Sequence, residues 1–181
     1  MMGRKRLTVI IASLLCVVVV GVGTTLAVLI AISGPVENTF TVGDIEITLE
    51  ETASDGYQLI PGKTYAKDPK ITVKSGSEDC WLFVNVDKTA GFDDYISYAI
   101  DDGWSMLHGG VYYREVTDID SDTVFEVIQD NTVTVKDGLT EEQIGRITEN
   151  PKITFSAYAV QSYGIETAFA AWEVIQTEMQ D

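Results

Sequence analysis

The hydrophobic pattern divides the chain into a long apolar start and a body of short alternating segments. Residues 7–32 carry no charge and follow the basic run Arg4-Lys5-Arg6. As a helix they would span about 39 Å, more than the roughly 30 Å apolar core of a bilayer. The pattern predicts an N-terminal apolar helix that acts as a signal peptide or a membrane anchor. The basic end favours the cytoplasmic side, so the body is expected outside.

The body opens with an alternating segment that is typical of a half-buried strand. Ser33-Gly34-Pro35 interrupts the apolar run, so we assign residues 1–35 to the signal or anchor and residues 36–181 to one domain. Asn38 to Glu50 then alternates apolar and polar side chains, with Ile45, Ile47 and Leu49 on one parity. The register changes at Gly43-Asp44, which predicts a bulge there.

The remaining pattern predicts several strands and few helices. Residues 80–86 are apolar on both faces, which favours a central strand. Thr140 to Gln143 fits a capping box, and residues 165–179 place Phe169, Trp172 and Ile175 at helical spacing. Further strands are predicted at residues 70–74, 111–116, 131–135 and 153–160. Together these elements indicate a mainly β fold, a jelly-roll-like β-sandwich with one or two short helices.

The charge and the cysteine content restrict which partners the body can bind and whether it contains a disulfide. Three of the 12 basic residues lie in the N-terminal run, so the body contains nine basic residues and all 28 acidic residues. Such an acidic body disfavours nucleic acid and anionic lipid headgroups as partners. Cys16 lies in the apolar segment and Cys80 in the body, so no disulfide is expected within the exported part. A buried, inert thiol is the preferred interpretation of Cys80.

Residues with catalytic or metal-binding chemistry are few. The single histidine, His108, stands beside Gly109-Gly110 without a partner motif, and no helical zinc-protease motif is present. Asp118, Asp120 and Asp122 alternate as the oxygen ligands of a Ca²⁺ loop do, but the rest of the helix–loop–helix pattern is missing. A solvated acidic loop is therefore preferred, with Ca²⁺ as the alternative. We expect no catalytic residue and no cofactor, and hence no enzyme.

Several segments match a known family in their order and spacing. They are Thr25-Leu26-Ala27, Asn38 to Leu49, Pro61-Gly62-Lys63 with Lys67 to Val73, Cys80 to Val86, Val111 to Val116, Ala157 to Gln161 and Ala168 to Trp172. In this arrangement the chain resembles the TasA/camelysin family of exported Gram-positive proteins, and its end is similar to small clostridial-type members. It differs from them in carrying residues 28–32, Val-Leu-Ile-Ala-Ile, where relatives are polar, aromatic and acidic.

The resemblance implies a secreted or cell-surface protein with a jelly-roll-like fold. Its signal peptide would be cut by a SipW-type signal peptidase, here between Ala27 and Val28. Well-known members form biofilm-matrix fibres in which the N-terminal segment of one subunit completes the sheet of the next. The expected strand donor comprises Val28, Leu29, Ile30, Ile32 and Val36. The expected partners are further copies of the chain, arranged head to tail, or other matrix proteins.

Two alternatives remain. In the first, the apolar helix is not cleaved, and the chain is a membrane-anchored surface binding module. In the second, the chain is a secreted metal-dependent protease, as camelysin-like members are described. The sequence offers no ligand set for that activity, so it is the least favoured interpretation.

Overall fold

A computed structural model of the protein describes residues 30–33, 45–53 and 57–180. Within these residues the fold is mainly β, with eleven short strands and few helices, as the sequence predicts. The helices are α1 (Phe92–Tyr95), α2 (Glu141–Gly145) and α3 (Ala168–Glu178). The strands are β1 (Ile30–Ser33), β2 (Ile47–Glu50), β3 (Thr64–Ala66), β4 (Lys70–Val73), β5 (Cys80–Lys88), β6 (Ile96–Ser97), β7 (Ser105–His108), β8 (Val111–Val116), β9 (Thr123–Glu126), β10 (Thr132–Val135) and β11 (Ile153–Gln161).

These strands form three sheets in which all neighbours run antiparallel. The largest is a five-stranded sheet with the order β1-β11-β5-β8-β7. The two smaller sheets have the orders β3-β10-β6 and β2-β4-β9. Strand β5 is third of five and pairs with β11 over nine positions and with β8 over six. The predicted central strand is therefore confirmed, since an apolar segment on both faces needs cover on both faces.

The core lies on both faces of the five-stranded sheet. On one face Leu82 and Val84 of β5 join a cluster that includes Ile71 of β4 and Val133 of β10. Because these residues come from all three sheets, the two smaller sheets cover this face. On the other face Phe83 packs against α3, with its ring centre 5.2 Å from that of Trp172. The alternation of β5 thus supplies two separate cores.

The terminal helix forms as predicted but buries a different stripe. Its N-cap is Thr167, whose hydroxyl accepts a hydrogen bond from the backbone N–H of Ala170. The buried residues are Ala168, Ala171, Trp172 and Ile175, a continuous helical stripe. Phe169 falls beside that stripe and is 58% exposed, so its predicted place on the apolar face is wrong. Helix α2 begins with the predicted capping box, in which Thr140 and Gln143 bond reciprocally.

The start of the described chain differs from the helix predicted for residues 7–32. Residues 30–33 form β1, an edge strand of the five-stranded sheet, so this sheet takes in residues before the boundary placed at 36. A β-branched sequence such as Ile-Ala-Ile-Ser is well suited to a strand once a partner edge is available. The helical prediction for residues 7–29 and the bulge at Gly43-Asp44 lie outside the described residues.

The opening strand of the body is confirmed where it is described. Ile45 and Ile47 are 2% and 4% exposed, and Leu49 packs against the same core. This is the parity that the sequence indicates. Strands β3, β7 and β9 were not predicted. Residues 105–108 lack an alternating β-branched pattern, and β9 begins directly after the acidic run that ends at Asp122.

Candidate functional site

The candidate site is the edge of the five-stranded sheet at which β1 pairs with β11. Residues Ile30, Ala31, Ile32 and Ser33 lie opposite Val160, Ala159, Tyr158 and Ala157 in an antiparallel register. Strand β11 pairs with β5 over all nine of its residues, whereas it pairs with β1 over only these four. The chain thus completes its own sheet with a short strand taken from its apolar N-terminal segment.

The edge that β1 covers is apolar on both faces. Ala157 and Ala159 are fully buried and belong to the core shared by the three sheets. Val160 is also fully buried and faces α3, where the ring of Tyr158 lies 5.6 Å from that of Trp172. Without β1, backbone N–H and C=O groups along this edge would lose their partners. Exposed apolar edges of this kind recruit another strand.

The structure places part of the predicted strand donor at this edge. Ile30 and Ile32 lie in β1. They are paired with Val160 and Tyr158 of β11, whose side chains lie on the α3 side of the sheet. Val28, Leu29 and Val36 lie outside the described residues, as does the predicted cleavage site between Ala27 and Val28. The acceptor residues of β11 were predicted as a strand but not as a docking edge. The available signal was the alternation of small alanines with larger apolar residues.

The three aspartates of the candidate Ca²⁺ loop are used in different ways. Asp122 accepts a hydrogen bond from the backbone N–H of Ser75 at 2.9 Å and pairs with the ammonium of Lys74 at 3.0 Å. These two contacts hold the pKa of the Asp122 carboxyl below its usual value. At Asp118 the backbone has a φ of 56° and its N–H donates to Asp79. The backbone N–H of Asp120 donates a hydrogen bond to the carbonyl of Asp118 at 3.0 Å.

This arrangement ties the loop to neighbouring residues through hydrogen bonds and one ion pair. Within the part of the chain that the structure describes, no group of three or more His, Cys, Asp or Glu side chains is placed to hold a metal ion. Calcium binding at Asp118, Asp120 and Asp122 remains a prediction from sequence.

The other two residues with distinctive chemistry, His108 and Cys80, lie in different strands. His108 ends β7, before the tight turn that Gly109 and Gly110 form with positive φ. Its ring lies 6.2 Å from that of Trp172, in an edge-on arrangement. Cys80 begins β5 and is fully buried. Burial, and then the nearby charge of Asp79, raises the pKa of its thiol to about 12. Such a thiol is inert as a nucleophile at neutral pH.

Comparison with known proteins identifies no relative. No protein-family model, curated protein or solved structure matches this chain. No helix among the described residues is long and apolar enough to cross a membrane. Any functional assignment therefore depends on the geometry of the site and on the sequence.

Proposed function

We propose that this protein is an exported structural subunit of extracellular or biofilm-matrix fibres. Each subunit would donate its N-terminal strand to the β11 edge of the next. One observation carries the proposal: a four-residue strand from the apolar N-terminal segment fills the edge beside β11. A strand in this position can come from the same chain or from a neighbour, since the backbone hydrogen bonds are the same in both cases.

The connection between β1 and the body supports such an exchange. Ser33 ends β1, and Ile45 is the next described residue, so 11 residues separate them. From Ile45 onward the chain is held firmly, because Ile45 and Ile47 are almost completely buried. Donation to a neighbouring subunit therefore requires only that the chain before Ile45, which includes β1, separates from its own sheet. A head-to-tail contact of this kind does not close on itself and generates a filament.

The finer fold belongs to the same proposal. We infer that the three sheets form a jelly-roll-like β-sandwich, with the five-stranded sheet as one layer and the two smaller sheets as the other. The shared core of Val84, Ile71 and Val133 supports this arrangement, since these residues come from one sheet each. The protein would be secreted or attached to the cell surface after cleavage between Ala27 and Val28. Its partners would be signal peptidase during export, and then further copies of itself or other matrix proteins.

The test is deletion of residues 28–35 from the exported chain. The account predicts a folded domain that forms no filaments in electron micrographs, while the full exported chain forms them. A matched control deletes Gln180 and Asp181 at the other terminus, and it should leave filament formation unchanged. Filaments of the shortened chain would contradict the proposal.

A second candidate function is a membrane-anchored surface binding module. It is favoured by the pairing of β1 with β11 of the same chain, which gives a sheet that needs no neighbour. In this case residues 7–29 stay attached as an anchor. Mass spectrometry of the protein from its host separates the two candidates. A mature chain that begins at Val28 supports the fibre subunit, and an intact N-terminal segment in the membrane fraction supports the anchored module.

A further inference from the structure

A cavity of about 460 Å³ lies away from the β1–β11 edge. Its apolar wall is formed by Phe92, Val133, Val135 and Ile153, three of which are almost fully buried. Ile153 is at the opposite end of β11 from the four residues that pair with β1. Apolar cavities of about 300–1,000 Å³ are typical of small-molecule sites.

Two tyrosines form an aromatic wall that is fixed before any ligand arrives. The rings of Tyr57 and Tyr65 lie 4.9 Å apart at 43°. The Tyr57 hydroxyl donates to the carbonyl of Ala66, and the Tyr65 hydroxyl donates to the carbonyl of Gln58, both at 2.5 Å. Each ring is fixed by the backbone at one end and by its hydroxyl hydrogen bond at the other. A flat molecule can therefore stack on this wall without ordering the side chains first.

The rim of the cavity carries positive charge in a strongly acidic protein. Lys67 also lines the cavity, but its ammonium pairs with Glu51 at 2.8 Å. Lys152 lines the rim, and Lys63 lies over the Tyr65 ring at 4.8 Å. Among the described residues, neither Lys152 nor Lys63 forms an ion pair. In a chain of net charge −16, this combination favours one small anionic group and repels polyanions.

We propose that this cavity binds small aromatic carboxylates. The ring system lies between the tyrosine wall and the apolar wall, and the carboxylate meets the ammonium of Lys152. A flat apolar body matches the buried wall, whereas a single negative charge matches the ammonium of Lys152, the lining lysine that forms no ion pair among the described residues. This binding activity is independent of fibre formation, because the β1–β11 edge contributes no residue to the carboxylate contact.

The test is isothermal titration of the full-length chain in phospholipid nanodiscs with 2-naphthoate, with empty nanodiscs as the blank. The wild type should bind one molecule per chain saturably, and the neutral analogue 2-naphthamide should bind about tenfold more weakly. Lys152→Glu should weaken 2-naphthoate binding by about ten- to hundredfold, because a charge-assisted contact is lost. Tyr57→Ala should weaken it by about three- to tenfold, through loss of an aromatic contact.

Matched variants separate these effects from general changes in charge or stability. Lys74→Glu makes the same charge reversal away from the cavity, where it also breaks the exposed ion pair with Asp122. Tyr163→Ala removes a tyrosine that is 88% exposed. Each control should change the affinity less than twofold, and all four variants should melt within a few degrees of the wild type. The proposal is overturned if the wild type shows no saturable binding. It is also overturned if Lys74→Glu weakens binding as much as Lys152→Glu, or if 2-naphthamide binds as tightly as 2-naphthoate.

Discussion

The carboxylate of Asp68 holds the segment after β2 in place, and its removal should measurably destabilise the body. One of its oxygens accepts from the backbone N–H groups of Thr52 and Ala53, at 3.1 and 2.8 Å. The other accepts from the Thr52 hydroxyl at 2.5 Å. These bonds join the end of β2 to the connection between β3 and β4. They help to keep the chain after Ile45 in the body, which donation of β1 requires.

The magnitude follows from the number and exposure of these bonds. A hydrogen bond to a charged group contributes about 1.5–3 kcal/mol, and the bonds to one carboxylate are not additive. Since Asp68 is only half-buried, we expect Asp68→Ala to cost about 2–3 kcal/mol in total. Asp68→Asn keeps an acceptor for the backbone N–H groups and should cost about 1 kcal/mol. With an m-value of about 1–3 kcal/mol/M, the urea midpoint of the alanine variant should be lower by about 0.7–3 M.

The pH dependence gives an independent check. The Thr52 hydroxyl bond is the largest influence, and with the two backbone N–H bonds it lowers the pKa of Asp68 in the folded protein. The unfolded state therefore binds this proton more readily than the folded state does. The stabilisation is complete above the unfolded pKa of about 3.9 and is lost as the pH falls through the folded pKa. Asp68→Ala should flatten this part of the stability–pH curve.

The assay is urea unfolding followed by tryptophan fluorescence, repeated between pH 3 and pH 7. The matched control is Asp102→Ala, which removes an exposed carboxylate and should change the unfolding free energy by less than about 0.5 kcal/mol. If Asp68→Ala and Asp102→Ala have equal effects at pH 7, the hydrogen bonds of Asp68 to Thr52 and Ala53 do not stabilise the fold. The same conclusion follows if the unfolding free energy of Asp68→Ala falls with decreasing pH as steeply as that of the wild type.

Three further predictions follow from the same contacts. Glu51→Gln leaves the ammonium of Lys67, which is 8% exposed, without a charged partner and should cost about 2 kcal/mol. Lys67→Met should cost less, and a double-mutant cycle in urea should give a coupling of about 1–2 kcal/mol, whereas a coupling near zero would exclude a stabilising pair. Cys80, with a thiol pKa of about 12, should resist iodoacetamide at pH 8 in the folded protein and react only on unfolding, so rapid native labelling would refute its burial. Trp172→Ala should cost about 3–5 kcal/mol by emptying the core under α3, while the exposed Phe169→Ala should cost under about 0.5 kcal/mol, and equal losses in thermal unfolding would contradict the packing of α3.

Local pattern was sufficient to predict much of the fold. The apolar faces of β5, the capping box at Thr140 and the parity of Ile45 and Ile47 are properties of neighbouring residues, and each appears in the structure as predicted. The mainly β class follows from the number of such segments. The stripe on α3 was misplaced because Ala168 and Ala171, which are small, carry little hydrophobic signal although they face the core.

Features that depend on distant residues could not be read from the sequence. The pairing of Ile32 with Tyr158 joins two parts of the chain more than a hundred residues apart. Apolar character alone did not distinguish a strand from the end of a helix at residues 30–33. The cavity likewise brings Tyr57, Tyr65 and Lys152 together through tertiary packing. Their separation along the chain gives no local pattern that would have marked them as one site.

The most direct test of strand donation is disulfide cross-linking between two different chains, each carrying one introduced cysteine in addition to the buried Cys80. Ala31 and Ala159 lie opposite each other in the β1–β11 register, and paired positions of this kind have Cα atoms about 4.5–5.5 Å apart. One exported chain carries Ala31→Cys and the other carries Ala159→Cys, both with Cys16 replaced by Ser if it is retained. The matched control replaces Ala159→Cys with Ser156→Cys, which is out of register.

Under mild oxidation of the mixed chains, the account predicts covalent heterodimers for the Ala31 and Ala159 pair and none for the control. A chain carrying both substitutions should form covalent ladders when it assembles. If the mixed chains give no heterodimer although filaments are present, and the double variant forms only a disulfide within one chain, β1 stays in its own subunit. Strand donation to β11 would then be wrong.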